Sequence, residues 1–422
     1  MKFDFIGKSL PRIDAYSKVT GKAIYPQDIY MDGMVYGKTL RSSKPHAYIK
    51  VNVEEAEKVS GVLKIYTYKD VPNNNHGVVF KDQEVFCSTK VRRVGDPIAF
   101  VVGESEKACL EGLKKIRIEY EDIEGIFDPI LAMRDSSPKV HKETNIVYHY
   151  KLRKGNIDEG FMRSHVVVEN TYKTHMVEHA FLQPEAGIAF IDENGLLSVC
   201  VATQYPHYDR EEVAAALNIP IDNVRIINAC VGGAFGGRED ITLQIHLALA
   251  TLDIQKPVKV VYTREESFIS HSKRHPLIMK YKTGADTDGF LQAMEAEIIG
   301  DTGAYASWAI NVLRKAGVHA TGPYYIPDVK VDSYAVYTNN PFAGAMRGFG
   351  ATQVSIAYEQ QMDLLGERLG IDPVTIRMRN ILKKGSATGT GQILSDSVPL
   401  YKCLEEVVYG IDFYRKFKGG FR

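Results

Sequence analysis

The sequence lacks most of the features that mark a specialised surface. Lys plus Arg and Asp plus Glu each number 52 in 422 residues, so neither sign of charge dominates. That excludes a broad basic face for nucleic acid and an acidic solvating tail. The five cysteines, Cys87, Cys109, Cys200, Cys230 and Cys403, stand far apart. Without a Cys-x-x-Cys, no zinc ribbon or ferredoxin-type cluster is expected on this chain. An odd number of scattered thiols fits a reducing compartment, so a cytoplasmic location is expected. Long hydrophobic runs are missing as well. The longest apolar stretch, 241–252, is interrupted by Gln244 and His246, and no membrane span is expected. The first eight residues contain Asp4 and no apolar run, so no secretory signal is expected.

What is present is the composition of an ordinary globular protein, 45% hydrophobic and 25% charged. At roughly 150 residues per domain, the length implies two or three domains. Short alternating runs predict strands over 35–40, 49–53, 61–66, 97–102 and 116–120, with a helix over 105–115. These make a compact α+β unit. Residues 125–156 read as a connector, with Pro129, Pro138 and weak periodicity. Beyond it, strands are predicted over 166–172, 187–191, 197–203, 224–227, 258–262, 278–283 and 292–299. Helices are predicted over 209–217, 239–252 and 353–369, the last ended by Gly370 and Pro373. The expected map is 1–125, a connector at 126–144, a second α/β domain at 145–395, and a helix and solvated basic tail at 396–422.

Three motifs could carry chemistry. Gly232-Gly233-Ala234-Phe235-Gly236-Gly237-Arg238-Glu239 puts four glycines into six positions between a strand and the predicted helix at 239. Such a loop lets backbone approach a ligand and offers N–H groups to an anion at a helix start. It has neither the Rossmann spacing nor the Lys-Ser/Thr of a Walker A loop; a tight turn without a ligand is the bland alternative. Gly344-Ala345-Met346-Arg347-Gly348-Phe349-Gly350-Ala351-Thr352-Gln353 leads into the strongest predicted helix. Its Arg347 can fork two hydrogen bonds onto an anion, and Phe349, between glycines, can offer a face to a planar ligand. A capped helix start with a core Phe is the alternative. Thr203-Gln204 stands at a strand end, a common pocket position in α/β folds. His179 and Glu185, six residues apart, could be ligands, but they are expected to serve structure through hydrogen bonds.

Together these motifs resemble the molybdenum hydroxylases, the xanthine dehydrogenase and aldehyde oxidoreductase family. The resemblance extends over Arg12-Ile13-Asp14, Lys18-Val19-Thr20-Gly21-Lys22-Ala23, Arg41-Ser42-Ser43, Pro45-His46-Ala47 and Arg93-Val94-Gly95-Asp96-Pro97-Ile98-Ala99. It continues through Thr203-Gln204, the two glycine loops, Arg379-Asn380 and Gly391-Gln392. It covers nearly the whole chain. It implies a hammerhead α+β domain followed by the first molybdopterin-binding α/β domain. The chain ends where single-chain members continue into a second such domain, so the pattern resembles split-subunit members of the nicotinate dehydrogenase kind.

The resemblance implies residue roles. Gln204 and Arg347 are the catalytic candidates. Gly233, Ala234, Phe235 and Gly236, with Gln204 and Arg347, are the cofactor-binding candidates. Glu239, Arg314, Lys315, Met346 and Phe349 are the substrate-binding candidates. Molybdenum is reached through the cofactor near Gln204, Phe235 and Arg347, with no direct side-chain ligand. The cofactor implied is molybdopterin, in its cytosine dinucleotide form. A second molybdopterin-domain subunit, a [2Fe-2S] subunit and a FAD subunit are the implied partners. The implied reaction is hydroxylation of an N-heterocyclic aromatic, nicotinate or a purine such as xanthine or hypoxanthine, with oxygen from water. An aldehyde oxidoreductase subunit and a non-catalytic scaffold are the alternatives.

Overall fold

The structure is a computed structural model and describes residues 3–417. Residues 418–422, part of the expected basic tail, lie outside the described residues.

Two sheets organise the chain. The first has seven strands in the order Val224–Asn228, Leu197–Val201, Ala186–Ile191, Val258–Val261, Val35–Arg41, Pro97–Gly103 and Val62–Tyr66. The three N-terminal strands join the other four through a short parallel pairing, Val35 beside Val258 and Tyr36 beside Lys259. Its central strands read as near-continuous apolar runs because both faces are covered: all of Leu197–Val201 is buried, as is all but the first residue of Pro97–Gly103. The helix Gln244–Ile254 lies on this sheet and is buried from Gln244 to Thr251, which its nearly all-round apolar character requires.

The second sheet has five strands in the order Val166–Lys173, Leu277–Ala285, Leu291–Gly303, Asp328–Tyr337 and Ile146–Lys154. Two helices, Ala309–Val318 and Ala351–Leu369, pack their apolar stripes on it through Val312, Leu313, Ala316, Val354, Ala357, Met362 and Leu365. Gly300 makes room for this: a Cβ there would stand 2.7 Å from Leu313 Cδ1. The long helix stops at Gly370, which takes φ +68°. A three-stranded sheet of Lys90–Val91, Ala47–Asn52 and Arg117–Asp122 completes the N-terminal region.

Three expectations need correction. The supposed connector at 125–156 contains the nine-residue strand Ile146–Lys154 and a helical turn, Pro129–Ala132. The strand escaped notice because it is an edge strand, with most residues only half-buried and little alternation to read. The helix Ala309–Val318 and the strand Asp328–Tyr337 were not anticipated. The helix expected from Glu239 begins at Gln244. Asp240 is drawn away to Ser307, and the Gln244 side-chain oxygen accepts from the N–H groups of Thr242 and Leu243 at 2.8 and 2.9 Å. The glycine loop therefore does not sit at a helix N-terminus, and the anion-binding argument built on that position falls.

Candidate active site

The strands Leu197–Val201 and Val224–Asn228 run parallel, so the chain leaves both at the same sheet edge. Gln204 follows the first strand and the loop 232–239 the second. The loop 344–350 closes on them from the other side. Contact between the loops is backbone to backbone. The Arg347 N–H donates to the Phe235 carbonyl at 2.9 Å. Gly236 has φ +102°, and a Cβ there would stand 2.6 Å from the Ala345 carbonyl oxygen. Only glycine tolerates both the conformation and the approach. Phe235 and Phe349 hold φ +55° and +56°. Left-handed backbone at a non-glycine residue costs roughly 1–3 kcal/mol and gathers at functional sites.

Between the loops lies an open cleft of about 520 Å³, walled by Gln204, Tyr205, Phe235, Gly236, Glu239, Trp308, Ala345, Met346, Arg347, Gly348 and Phe349. Of the expected site residues it brings together Gln204, Phe235, Gly236, Glu239, Met346, Arg347 and Phe349. Gly233 and Ala234 are not on the wall. They lie behind it, with the Gly233 carbonyl accepting from Arg238 Nε at 2.9 Å and the Ala234 carbonyl from the Gly237 N–H at 2.9 Å.

Gln204 is held in one orientation. Its Oε1 accepts from the N–H groups of Gly236 and Arg238 at 2.9 and 3.4 Å. Its amide nitrogen is left with one long bond, 3.3 Å to Glu239 Oε1. A donor fixed in this way faces the cleft. Burial, with Asp240 beside it, pushes the Glu239 carboxyl up to about 7. Near neutral pH it therefore exists in both protonation states and can donate or accept.

Phe349 is not free of packing neighbours, as its glycine flanks had suggested. Trp308 meets it edge-on at 5.9 Å between centroids, and the Tyr205 ring lies 5.8 Å from that of Trp308. This aromatic wall leaves the Phe349 ring with a definite plane. Lys315 Nζ stands 6.0 Å from the Phe349 centroid. Arg314, one residue away on the same helix, turns about 100° further round; its charge is felt at Tyr150, on the edge strand. Neither forms the cleft wall, and only Lys315 reaches toward it. The Arg347 side chain is exposed, while its carbonyl accepts from Arg274 Nη2 at 2.9 Å.

His179 and Glu185 lie behind the loops, buried. His179 Nε2 bonds the Ala345 carbonyl at 2.8 Å, the structural role expected of it, whereas both carboxylate oxygens of Glu185 are buried without a hydrogen-bond partner, against expectation. Tyr205 and Trp308 were missed as wall residues. Trp308 is the only tryptophan in the chain, and its place in an aromatic-poor helix start was the one available signal.

The chain matches two family profiles. Residues 20–124 match the aldehyde oxidase and xanthine dehydrogenase a/b hammerhead domain. Residues 140–381 match the molybdopterin cofactor-binding domain. The nicotinate dehydrogenase large molybdopterin subunit of Eubacterium barkeri is 44% identical over 406 residues, which cover 96% of each chain. A probable xanthine dehydrogenase chain of Bacillus subtilis is 40% identical over 88% of this chain and 50% of its own. Among solved structures, the aldehyde oxidoreductase of Desulfovibrio gigas superposes with a TM-score of 0.91 at 26% identity, over 95% of this chain and 46% of that one. The chain thus spans nearly all of the first relative and about half of the other two. A hammerhead domain followed by a molybdopterin-binding domain, with the two glycine loops closing one cleft, places this chain in the aldehyde oxidase and xanthine dehydrogenase family of molybdenum-dependent oxidoreductases.

Proposed function

We propose that this chain is the molybdopterin-binding subunit of a multi-subunit hydroxylase acting on an electron-poor, N-heterocyclic aromatic acid or purine. One observation carries the reading. A fixed amide donor, a carboxyl that titrates near neutrality, an aromatic face and a lysine charge meet around one cleft. That set suits a planar polar ring better than a simple aldehyde.

The residues present fit the cofactor. Gly236 brings bare backbone to the cleft wall, and the Gln204 amide is anchored through its oxygen with its nitrogen turned to the cleft. In this reading Gln204, Phe235, Gly236 and Arg347 hold molybdopterin, with Gly233 and Ala234 supporting the loop from behind. When bound, the cofactor supplies the two-electron oxidation and the transfer of a water-derived oxygen. Phe349 orients the substrate ring and Met346 borders it. Lys315 attracts a carboxylate or an anionic ring edge as a point charge. Glu239 holds a proton at its carboxyl and exchanges it with a ring nitrogen or oxo group. Arg314 has the weaker claim, because it turns toward Tyr150.

The 44% identical nicotinate dehydrogenase subunit supports nicotinate as substrate, while Glu239 fits a purine equally well. With this reading go the cytosine dinucleotide form of the cofactor and partners carrying the second molybdopterin domain, [2Fe-2S] clusters and FAD, as the sequence resemblance implies. A cytoplasmic setting fits five unpaired thiols. The test is a rate comparison of nicotinate, xanthine, hypoxanthine and benzaldehyde on the assembled complex. Turnover of nicotinate or a purine at least tenfold above benzaldehyde is expected. Preference for benzaldehyde overturns the assignment in favour of an aldehyde oxidoreductase.

A further inference from the structure

The turn Ala306–Trp308 gathers buried polar groups that the cleft does not use. Ser307, held at φ +42°, donates its hydroxyl to Asp240 Oδ1 at 2.7 Å. The Ala306 N–H donates to Asp82 Oδ2 at 2.8 Å, and the Tyr337 hydroxyl donates to the same oxygen at 2.8 Å. Asp240 is 2% exposed and is the chain neighbour of Glu239 in the cleft.

Each of these carboxylates keeps one oxygen in reserve. Asp240 Oδ2 and Asp82 Oδ1 are buried without a partner, and so are the Tyr208 hydroxyl, Asp209 Oδ1 and the Trp308 indole nitrogen. The phenol and the three carboxylates belong to one neighbourhood: Tyr208, pushed up by burial, also feels the charges of Glu212, Asp240, Asp209 and Asp82, and Trp308 is the chain neighbour of Ser307, which bonds Asp240. The outer end of the neighbourhood reaches solvent. Glu212 is ion-paired with Lys81, whose side chain is half exposed and whose ammonium lies 6.0 Å over the Tyr208 ring.

A buried polar atom without a partner costs roughly 1–3 kcal/mol, and native interiors satisfy such atoms with ordered water. A buried water takes two to four polar partners. The indole and phenol here can donate and the carboxylates accept, so the hydrogen bonding closes once water is added. We propose that these groups line a file of ordered water that carries protons from Glu239 in the cleft, past Asp240, Tyr208 and Asp82, to the Glu212–Lys81 pair at the surface.

The need for such a file rests on the hydroxylase reading. Hydroxylation of a ring carbon, RH + H₂O → ROH + 2 e⁻ + 2 H⁺, releases two protons in the cleft for each pair of electrons passed to the redox partners. With substrate and cofactor filling the cleft, the protons need a route of their own. Along the file only protons move, from an O–H to the next oxygen lone pair. Burial raises Asp82 to about 6, close enough to Glu239 for exchange near neutral pH. Hydrogen bonds from the Ala306 N–H and the Tyr337 hydroxyl, with the Arg92 charge, oppose that rise at Asp82, and the Ser307 and Ser272 hydroxyls oppose the effect of burial at Asp240.

A crystal structure of the assembled enzyme is the first arm of the test. Ordered waters bonded to Asp240 Oδ2, the Tyr208 hydroxyl and Asp82 Oδ1 are expected; a dry cavity overturns the proposal whatever the substrate. The second arm compares Asp240→Asn and Tyr208→Phe in the assembled complex, with whichever of the four compounds turns over. Tyr208→Phe removes only a hydroxyl, which keeps the test readable if the Asp240 variant fails to fold. The expected result is a kcat at least tenfold lower with unchanged KM and molybdenum content, a larger solvent deuterium isotope effect, and partial recovery with imidazole or formate as mobile proton carriers. A fall in rate without isotope effect or rescue overturns the proposal, as does an unchanged rate.

Discussion

The two glycine-rich loops look alike in sequence and behave differently in the fold. The loop 344–350 runs straight into its helix: Gly350 precedes Ala351 and the helix begins. The loop 232–237 is separated from its helix by six residues, Arg238 to Leu243, because the helix begins only at Gln244. The direct loop presents Met346, Arg347 and Phe349 on the cleft wall and brings no acidic side chain to the interior. The delayed loop gives Glu239 to the wall and Asp240 to the interior. An extended link after a glycine loop therefore supplies two functions at adjacent positions, one facing the ligand and one facing the protein. A helix starting at Glu239 would have placed these two side chains about 100° apart on one helix surface.

The loops depend on each other at Gly236, and breaking that contact should have the largest effect. Gly236→Ala forces a Cβ against the Ala345 carbonyl and strains a left-handed backbone. A loss of about 2–4 kcal/mol in denaturant unfolding is expected, with loss of bound molybdenum. Glu239→Gln sharpens the comparison from the wall side. The folded state raises this carboxyl from 4.5 to about 7, so the folded form holds a proton that the unfolded form gives up. Stability then falls as pH rises from 4.5 through 7, and the cost is complete above 7. The glutamine variant should lack that slope and be about 1–2 kcal/mol more stable than wild type at pH 8, measured by urea unfolding at several pH values.

Smaller effects separate neighbours. Lys315→Ala should raise KM for an anionic substrate about tenfold, the scale of one desolvated charge contact, while Arg314→Ala should change it less than about twofold. Equal effects would mean that the helix presents both charges to the cleft. Gly370→Ala is the mildest change. The backbone there is also left-handed, at φ +68°, but nothing lies within 4 Å of the added Cβ. About 1 kcal/mol is expected, from strain alone. The gap between the two glycine variants measures the loop contact itself.

Much of this was legible in the sequence. Strand positions with continuous apolar runs, expected over 97–102 and 197–203 and found at Pro97–Gly103 and Leu197–Val201, were plain to within two residues, because burial on both faces leaves a clear signal. Gln204, Glu239, Arg347 and Phe349 were visible as motif residues. The edge strand Ile146–Lys154 was not, because one-sided pairing leaves its residues half-buried and its alternation blurred. The choice between Arg314 and Lys315 depended on helix phase, which two adjacent cations cannot reveal. Trp308 carries no motif; its place on the wall follows from the long-range approach of its turn to Phe349 and Tyr205. The late helix start at Gln244 depended on three side-chain bonds, one from Ser307 to Asp240 and two within the Gln244 turn, that local periodicity does not encode.

The central claim is that the cleft between these loops serves a molybdenum hydroxylase assembled from several chains. Purification of this chain from its native source, with metal analysis and subunit identification on the same sample, tests it most directly. The account predicts molybdenum at one atom per chain, iron, and a co-purifying subunit that carries the second molybdopterin domain. A complex that is catalytically active but free of molybdenum would contradict it.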